Sequence, residues 1–261
     1  MHNYTSYTIY KAVFSPTYGT AHAATLLAEQ LDLNLAGEKI KKLDLTTPAA
    51  RSVKHFFSSS DLVIVGAPVY GGQLPPVEGL FENLRGNQTP CILLAGYGNR
   101  HYDNALAQMK KIMIRQGFIC IGAIACIVPH TFSPKVGTGR PSTSDLSAIA
   151  AFANALKPKF ETDAPFETVE VPGDPDPEPK PGKDMPKALD SALCTSCGLC
   201  SASCPVGAID PKTNTIDTDK CINCMRCAFI CPAKARSFQA EETKAWLEAN
   251  CLEPREIEYF L

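Results

Sequence analysis

Nowhere in the 261 residues does an apolar stretch reach the roughly 20 residues that a bilayer-spanning helix needs. A membrane role is therefore not expected. The first residues lack the basic-then-apolar run of an export signal, and no basic cluster interleaved with aromatics offers itself to nucleic acid. A nicotinamide fingerprint is missing too: Gly96-x-Gly98 lacks the third glycine of a dinucleotide loop and stands in the wrong unit. Charge of one sign is nearly balanced, with 25 Lys+Arg against 27 Asp+Glu, or −2. That balance hides an asymmetry, because residues 1–160 hold 15 basic against 9 acidic side chains (+6) and residues 161–261 hold 10 against 18 (−8). Opposite signs on two tethered halves favour docking of one on the other; an acidic linker and tail that serve only solubility are the alternative.

What the chain has in excess is cysteine. Eight of its 12 cysteines form one string written twice: Cys194-x2-Cys197-x2-Cys200-x3-Cys204-Pro205 and Cys221-x2-Cys224-x2-Cys227-x3-Cys231-Pro232. This is the ligand pattern of two 4Fe-4S clusters, in which three thiolates of one run hold three irons and the fourth iron takes a thiolate from the other run. The first cluster is expected on Cys194, Cys197, Cys200 and Cys231, and the second on Cys221, Cys224, Cys227 and Cys204. A disulfide framework belongs to short secreted chains. Zinc gives no reason for three tight spacings plus Cys-Pro, twice over. Thiolate-held clusters without an export signal point to a reducing cytoplasm. Cys91, Cys120 and Cys126 lie in or beside strand-like apolar runs and read as small buried hydrophobes; Cys251 reads as a bystander. Lys220 and Arg226, beside the second run, are expected to raise its potential slightly.

Residues 158–187 form a connector punctuated by proline and acidic residues, a composition that favours extended, semi-rigid chain and does not fix where the following domain sits. It divides a domain at 1–157 from a cluster domain at 188–240, followed by a C-terminal helix and tail at 241–261. Before the connector, apolar runs alternate with helical patterns, which argues for βαβ units. Strands are expected near Thr8–Phe14, Lys39–Leu45, Leu62–Ala67, Cys91–Ala95 and Phe118–Val128. Helices are expected at Ala21–Leu31, Arg51–Phe57, Val77–Leu84, Asp103–Gln116 with Asp103 as N-cap and Gly117 as C′, and Leu146–Leu156 behind a capping box at Ser142 and Asp145. This pattern suits a doubly wound α/β fold with five parallel strands in the order 2-1-3-4-5, whose ligand lies beyond the carboxyl ends of the strands.

The loops after the first, third and fourth strands converge on that edge. Ser15-Pro16-Thr17-Tyr18-Gly19-Thr20 opens onto a helix, and hydroxyls with free backbone N–H groups make an anion site that needs no lysine; ordinary capping explains the same residues. Pro68-Val69-Tyr70-Gly71-Gly72 places an aromatic and two glycines past the sheet, where main chain can approach a planar ligand or simply turn. Gly96-Tyr97-Gly98-Asn99-Arg100-His101-Tyr102 repeats the theme with a cation. His130 reads as edging the site or as structural.

Ser-Pro-Thr-x-x-Thr, Pro-Val-Tyr-Gly-Gly and Tyr-Gly-Asn-Arg-x-Tyr-Asp-x-Ala-Leu, with the stretch His130–Pro141, resemble the EFR1 family, whose members join a flavodoxin-like module to a C-terminal two-cluster ferredoxin. The resemblance covers nearly the whole chain apart from the linker. It implies FMN, its phosphate held by Ser15, Thr17, Tyr18, Gly19 and Thr20. Its ring would be flanked by Pro68, Val69, Tyr70, Gly71 and Gly72 and by Gly96, Tyr97, Gly98, Asn99, Arg100 and Tyr102. Where flavodoxins commonly have Gly-Asn this chain has Tyr18-Gly19, so the loop's left-handed residue is expected to move to Gly19. Arg100 is a candidate to stabilise negative charge on reduced flavin. The function expected is electron transfer between FMN and the clusters, coupling one- and two-electron chemistry. The alternatives are a flavin reductase acting on a small molecule and a cofactor-free binding module. The expected partners are a ferredoxin-like redox protein or a small-molecule acceptor, with a homodimer as a further arrangement.

Overall fold

The computed structural model describes residues 7–35, 40–162, 164–180 and 185–261. Five apolar runs become parallel strands: β1 (Thr8–Val13), β2 (Ile40–Asp44), β3 (Asp61–Pro68), β4 (Thr89–Tyr97) and β5 (Phe118–Ile127). They lie in the order β2-β1-β3-β4-β5. This is the flavodoxin-like doubly wound sheet that the alternation of strand and helix predicts. A central parallel strand is covered on both faces and reads as continuous apolar sequence, and every residue of β4 is buried. Helix α1 (Gly19–Leu35) follows β1, and the short α2 (Pro48–Arg51) follows β2. Helix α3 (Ala105–Arg115) packs against β4 and β5, whereas α4 (Thr143–Phe160) lies beside α1.

Several expected helices differ. The run Arg51–Phe57 is not a helix: α2 starts earlier, with Thr47 as its side-chain cap and Pro48 at its first position, and ends at Arg51. Beyond it His55–Phe56 pairs with Leu84–Arg85 as a two-residue parallel ladder. The stretch Val77–Leu84 makes turns, because Pro75 and Pro76 lead into it and Gly79 adopts φ +64°. Asp103 does not cap α3. Its φ is +38° and its carboxylate pairs with Arg100, so Asn104 occupies the cap position. Gly117 takes the left-handed C′ conformation as expected, at φ +86°. The capping box of Ser142 and Asp145 is complete, and α4 runs on to Phe160, past the expected start of the linker, because Pro158 falls in its last turns and interrupts little.

The described part of the linker is strapped to the first domain. Val169 is buried and donates its N–H to Cys120 O at 2.7 Å. Asp174 N–H donates to Asn104 Oδ1, Lys111 pairs with Asp176, Gln73 Nε2 donates to Glu178 O at 2.7 Å and Lys180 Nζ donates to Gly71 O at 2.5 Å. The connector therefore does fix a path, against expectation, since proline-rich chain with no internal bonds is free to spend its carbonyls and side chains on a neighbour.

The cluster domain is framed by a two-stranded ladder of β6 (Lys187–Leu189) and β7 (Arg236–Phe238) around two one-turn helices, α5 (Leu199–Ala202) and α6 (Arg226–Phe229). After it, α7 (Glu241–Asn250) and β8 (Glu258–Phe260) return to the first domain. Strand β8 pairs antiparallel with β5, Tyr259 opposite Ile124, and covers an edge the sequence reading left bare. Asn99, 3% exposed, clamps this return: its Nδ2 donates to Cys251 O and Glu253 O at 2.7 and 2.8 Å, and its Oδ1 accepts from Arg255 N–H at 3.1 Å.

Replacing Asn99 with alanine leaves two carbonyls and an N–H without partners, at a cost of about 2–4 kcal/mol. The expected outcome is a lower thermal midpoint and faster tryptic cleavage after Arg255 in the Asn99→Ala chain; unchanged cleavage overturns the clamp.

Candidate functional site

The doubled cysteine string folds as a doubled structure. Within each C-x2-C-x2-C loop the residue before the second cysteine and the residue after it are left-handed: Ser196 and Gly198 at φ +53° and +74°, Asn223 and Met225 at +52° and +61°. The position three beyond each fourth cysteine repeats this, with Gly207 at +64° and Lys234 at +52°. Left-handed backbone curls each loop around its own centre, and a non-glycine residue there costs about 1–2 kcal/mol. The fourth cysteines are matched as well. Ala208 N–H donates to Cys204 Sγ at 3.2 Å, and Ala235 N–H donates to Cys231 Sγ at 3.3 Å.

The loops enclose two hollows of similar size, about 330 and 370 Å³ of empty space with their open mouths included. Cys204, Cys221, Cys224 and Cys227 line one; Cys194, Cys197, Cys200 and Cys231 line the other. Each hollow thus has three thiols from one run and the fourth from the other. Ligands of a single zinc converge on a point; here the thiols ring a space, which suits a cube with irons at separate corners. All twelve cysteines are free. Burial pushes the Cys224 thiol up to about 12 and the Cys227 thiol up to about 11, with Arg236 pulling Cys227 the other way. Such thiols ionise only for a partner that repays the charge, as iron does.

At the sheet edge the three loops meet. Ser15, 4% exposed, donates its N–H to Thr46 Oγ1 and accepts the N–H of Ala21 on its own Oγ, both at 3.1 Å. The first N–H groups of a helix have no partner within it, and those of Gly19 and Thr20 find no acceptor among the described residues. The left-handed residue is Tyr18, at φ +66°, and not Gly19, which already belongs to α1. Thr17 is half-buried; Thr20 is buried and turned inward, where a Cβ on Gly96 would overlap it. Tyr70 and Gln73 exchange backbone hydrogen bonds around Gly71 and Gly72, at φ +58° and +88°, a tight turn of the kind that needs two left-handed residues. Pro68 and Val69 lead into it, half-buried.

The third loop is committed to protein contacts. Asn99 holds the tail, Tyr102 Oη donates to Glu258 Oε2 at 2.7 Å, and Tyr97 is buried at 2% exposure. Arg100 pairs with Asp103, so its charge is met within the loop. A Cβ on Gly98 would overlap the His130 ring, and burial pushes that imidazole down to about 4. Its main chain is tied in as well, with Gly96 O accepting from Val69 N–H and Tyr97 O from Val128 N–H, both at 2.9 Å.

The two sites adjoin. Arg226, between Cys224 and Cys227, donates from Nη1 to Pro16 O at 2.8 Å, and its guanidinium carbon lies 5.4 Å from the Tyr18 ring centroid. In return Arg51 donates from Nη2 to Pro205 O at 2.6 Å. Phe229 meets Tyr18 edge-on at 5.9 Å between centroids, and Val206 and Ile222 pack on the core of the first domain. Tyr70 lies close enough to Cys224 and Cys221 that, after burial, they are the next causes holding its phenol well above the usual value. The hollow of Cys204, Cys221, Cys224 and Cys227 is therefore the one whose loops meet the first domain, at Pro16, Tyr18 and Arg51. The other hollow faces outward, with Cys197 exposed and Leu193 and Leu199 about half-exposed beside it. The sequence reading missed Arg51 and the docking role of Arg226. Its one signal was the opposite charge of the two halves.

Residues 187–232 match the family of 4Fe-4S dicluster domains, and this segment holds all eight cysteines of the doubled string. No curated protein matches the chain. Solved structures similar to it include a flavodoxin from the domain Archaea (11% identity, TM-score 0.37, 59% of this chain and 99% of that one). Others are flavodoxin 2 from Bacillus cereus (16%, 0.42, 58% and 99%) and a flavodoxin from Streptococcus pneumonia TIGR4 (16%, 0.39, 58% and 99%). Among the described residues no helix is long and apolar enough to cross a membrane.

Crossed ligation makes an asymmetric prediction. Cys204→Ser should empty the hollow that faces Tyr18 and spare the other, halving the iron per chain, while Cys231→Ser does the converse; equal loss from both hollows in each variant overturns it. A second prediction concerns acid. His130 folds with its pKa at about 4, below the roughly 6.5 of an unfolded histidine. The unfolded chain therefore binds the proton first, and this contribution to stability is complete above about 6.5 and lost as pH falls toward about 4. Denaturant melts of His130→Gln should show a shallower loss between those limits than the parent.

Proposed function

We propose that this chain is an electron-transfer protein in which FMN at the sheet edge exchanges electrons with two 4Fe-4S clusters, and that it belongs to the EFR1 family. The domain limits proposed are 1–157, 158–187, 188–240 and 241–261, with α7 and β8 returning to the first domain. Cys204, Cys221, Cys224 and Cys227 hold the near cluster; Cys194, Cys197, Cys200 and Cys231 hold the far one. Ser15, Thr17, Tyr18, Gly19 and Thr20 cradle the phosphate. Pro68 to Gly72 and the main chain of Gly96 to Tyr102 flank the ring.

Bound flavin accepts one or two electrons and each cluster passes one, so their union couples the two regimes. The chain's part is placement and insulation. The observation that carries the reading is the position of the near hollow, whose loop touches the loop Ser15–Thr20 through Arg226, Phe229 and Tyr18. The far hollow, with exposed Cys197 and Leu199, is the exchange point for a ferredoxin-like partner. The C-terminal return over Tyr97, Asn99 and Tyr102 narrows access to the edge, which favours a carrier over a reductase of small molecules. Iron held by thiolate suits a reducing cytoplasm.

The test is a full chain prepared without oxygen, its iron, sulfide and flavin quantified, then mixed with a reduced one-electron donor in stopped flow. Cluster bleaching should precede flavin bleaching, and in Cys231→Ser flavin reduction should fall to the rate of an iron-free chain. A preparation that takes up no flavin, or flavin reduced equally fast without iron, defeats the reading.

A further inference from the structure

Arg226 holds more charge than the domain contact uses. It is only 8% exposed, Nη1 is spent on Pro16 O, and Nε has no hydrogen-bond partner. Among the described residues no carboxylate pairs with it. A buried guanidinium without a counter-charge is costly, so an anion is missing from its surroundings. Two sources lie to either side: the thiolates of its own loop, and a ligand in the loop Ser15–Thr20. The guanidinium that acts on Cys227 belongs to Arg236, whereas Arg226 reaches Cys224 through its backbone N–H. The guanidinium of Arg226 is directed the other way, onto Pro16 and Tyr18.

On that side stands the N-terminus of α1, a helix of 17 residues, which adds its own positive partial charge. The N–H groups of Gly19 and Thr20 have no acceptor among the described residues. Arg226 thus contacts Pro16 and Tyr18, residues of the same loop that runs into those N–H groups, and an anion bound by both satisfies both. Arg51 is anchored elsewhere, with three of its five N–H donors on Leu45 O, Thr46 O and Pro205 O.

We infer that Arg226, a residue of the iron–sulfur domain, completes the phosphate site of the flavin domain and binds the phosphomonoester of FMN across the boundary. The inference rests on the flavin reading above and deepens it. The loop supplies hydroxyls and N–H groups, and the cation arrives from 210 residues further along the chain. Because Cys224 and Cys227 bracket Arg226, the near cluster holds the guanidinium in place. Iron loading and FMN affinity are therefore linked.

The experiment compares FMN with riboflavin, which lacks the phosphate. Both are titrated into flavin-stripped, iron-loaded full chain and into Arg226→Gln, following flavin fluorescence with iron per chain measured alongside. The parent should prefer FMN, and Arg226→Gln should lose about tenfold or more of that preference while its riboflavin affinity stays put. An Arg226→Gln chain with its iron intact and the parental preference overturns the inference and leaves the flavin reading standing; a parent that binds neither flavin defeats both. Should Arg226→Gln fail to retain iron, the parent treated with an iron chelator decides. Loss of the FMN preference with riboflavin binding retained supports the inference, and a preference that survives chelation overturns it.

Discussion

Two buried guanidinium groups, each donating to a proline carbonyl of the other domain, fix how the halves of this molecule meet. Arg51 reaches Pro205 and Arg226 reaches Pro16. Each bond to a charged donor contributes about 1.5–3 kcal/mol, and burying the cations offsets much of that, so the pair sets registry more than it adds stability. The choice of acceptor follows from chain chemistry. No backbone N–H donates to Pro16 O or Pro205 O among the described residues, so both carbonyls are open to a donor from the other domain. Registry decides which loop of the first domain the near hollow lies against, and here it is the loop of Pro16 and Tyr18.

The edge that receives it is close-packed by its glycines. A side chain on Gly96 would collide with Thr20, one on Gly98 with His130, and one on Gly72 with Asp103 and Arg100. These contacts draw the loops after β1, β3 and β4 together with the segment after β5, so their separate positions in sequence become one rim. Parallel strands make this possible, since all their carboxyl ends lie on one side. Register does the rest: Pro68 pairs with Gly96, and Gly96 with Cys126.

The legible features were those coded locally. Ligand spacing in the cysteine runs is a covalent constraint, and the hollows collect the cysteines that spacing assigns to each. The strands β3, β4 and β5 were legible because parallel strands buried on both faces are almost continuously apolar, and α4 because Ser142 and Asp145 cap its first turn. What escaped was non-local. Asn99, in a glycine-rich loop, reads as a ligand contact until Cys251, Glu253 and Arg255 are found on it. Strand β8 is three residues long and makes sense only beside β5. Tyr18 takes the left-handed conformation despite its side chain, and Phe229 and Arg226 support the ring from the other domain.

The crossing of the fourth cysteines and the strapping of the linker act toward the same end. Cys204 closes the hollow opened by the second run, and Cys231 closes that opened by the first, so neither centre is complete without the whole repeat. Both hollows thus draw on both runs, and α6 with Arg226 is part of that shared framework. A free thirty-residue tether at about 3.1 Å per residue would let the cluster domain reach any face of the first domain. Pinning the linker at Val169, Asp174, Glu178 and Lys180 removes most of this freedom. The last of these anchors is on Gly71, in the loop after β3 at the same edge of the sheet. The effective concentration of the cluster domain there is raised without any further contact, and the modest net strength of two buried arginines is then enough to hold the arrangement.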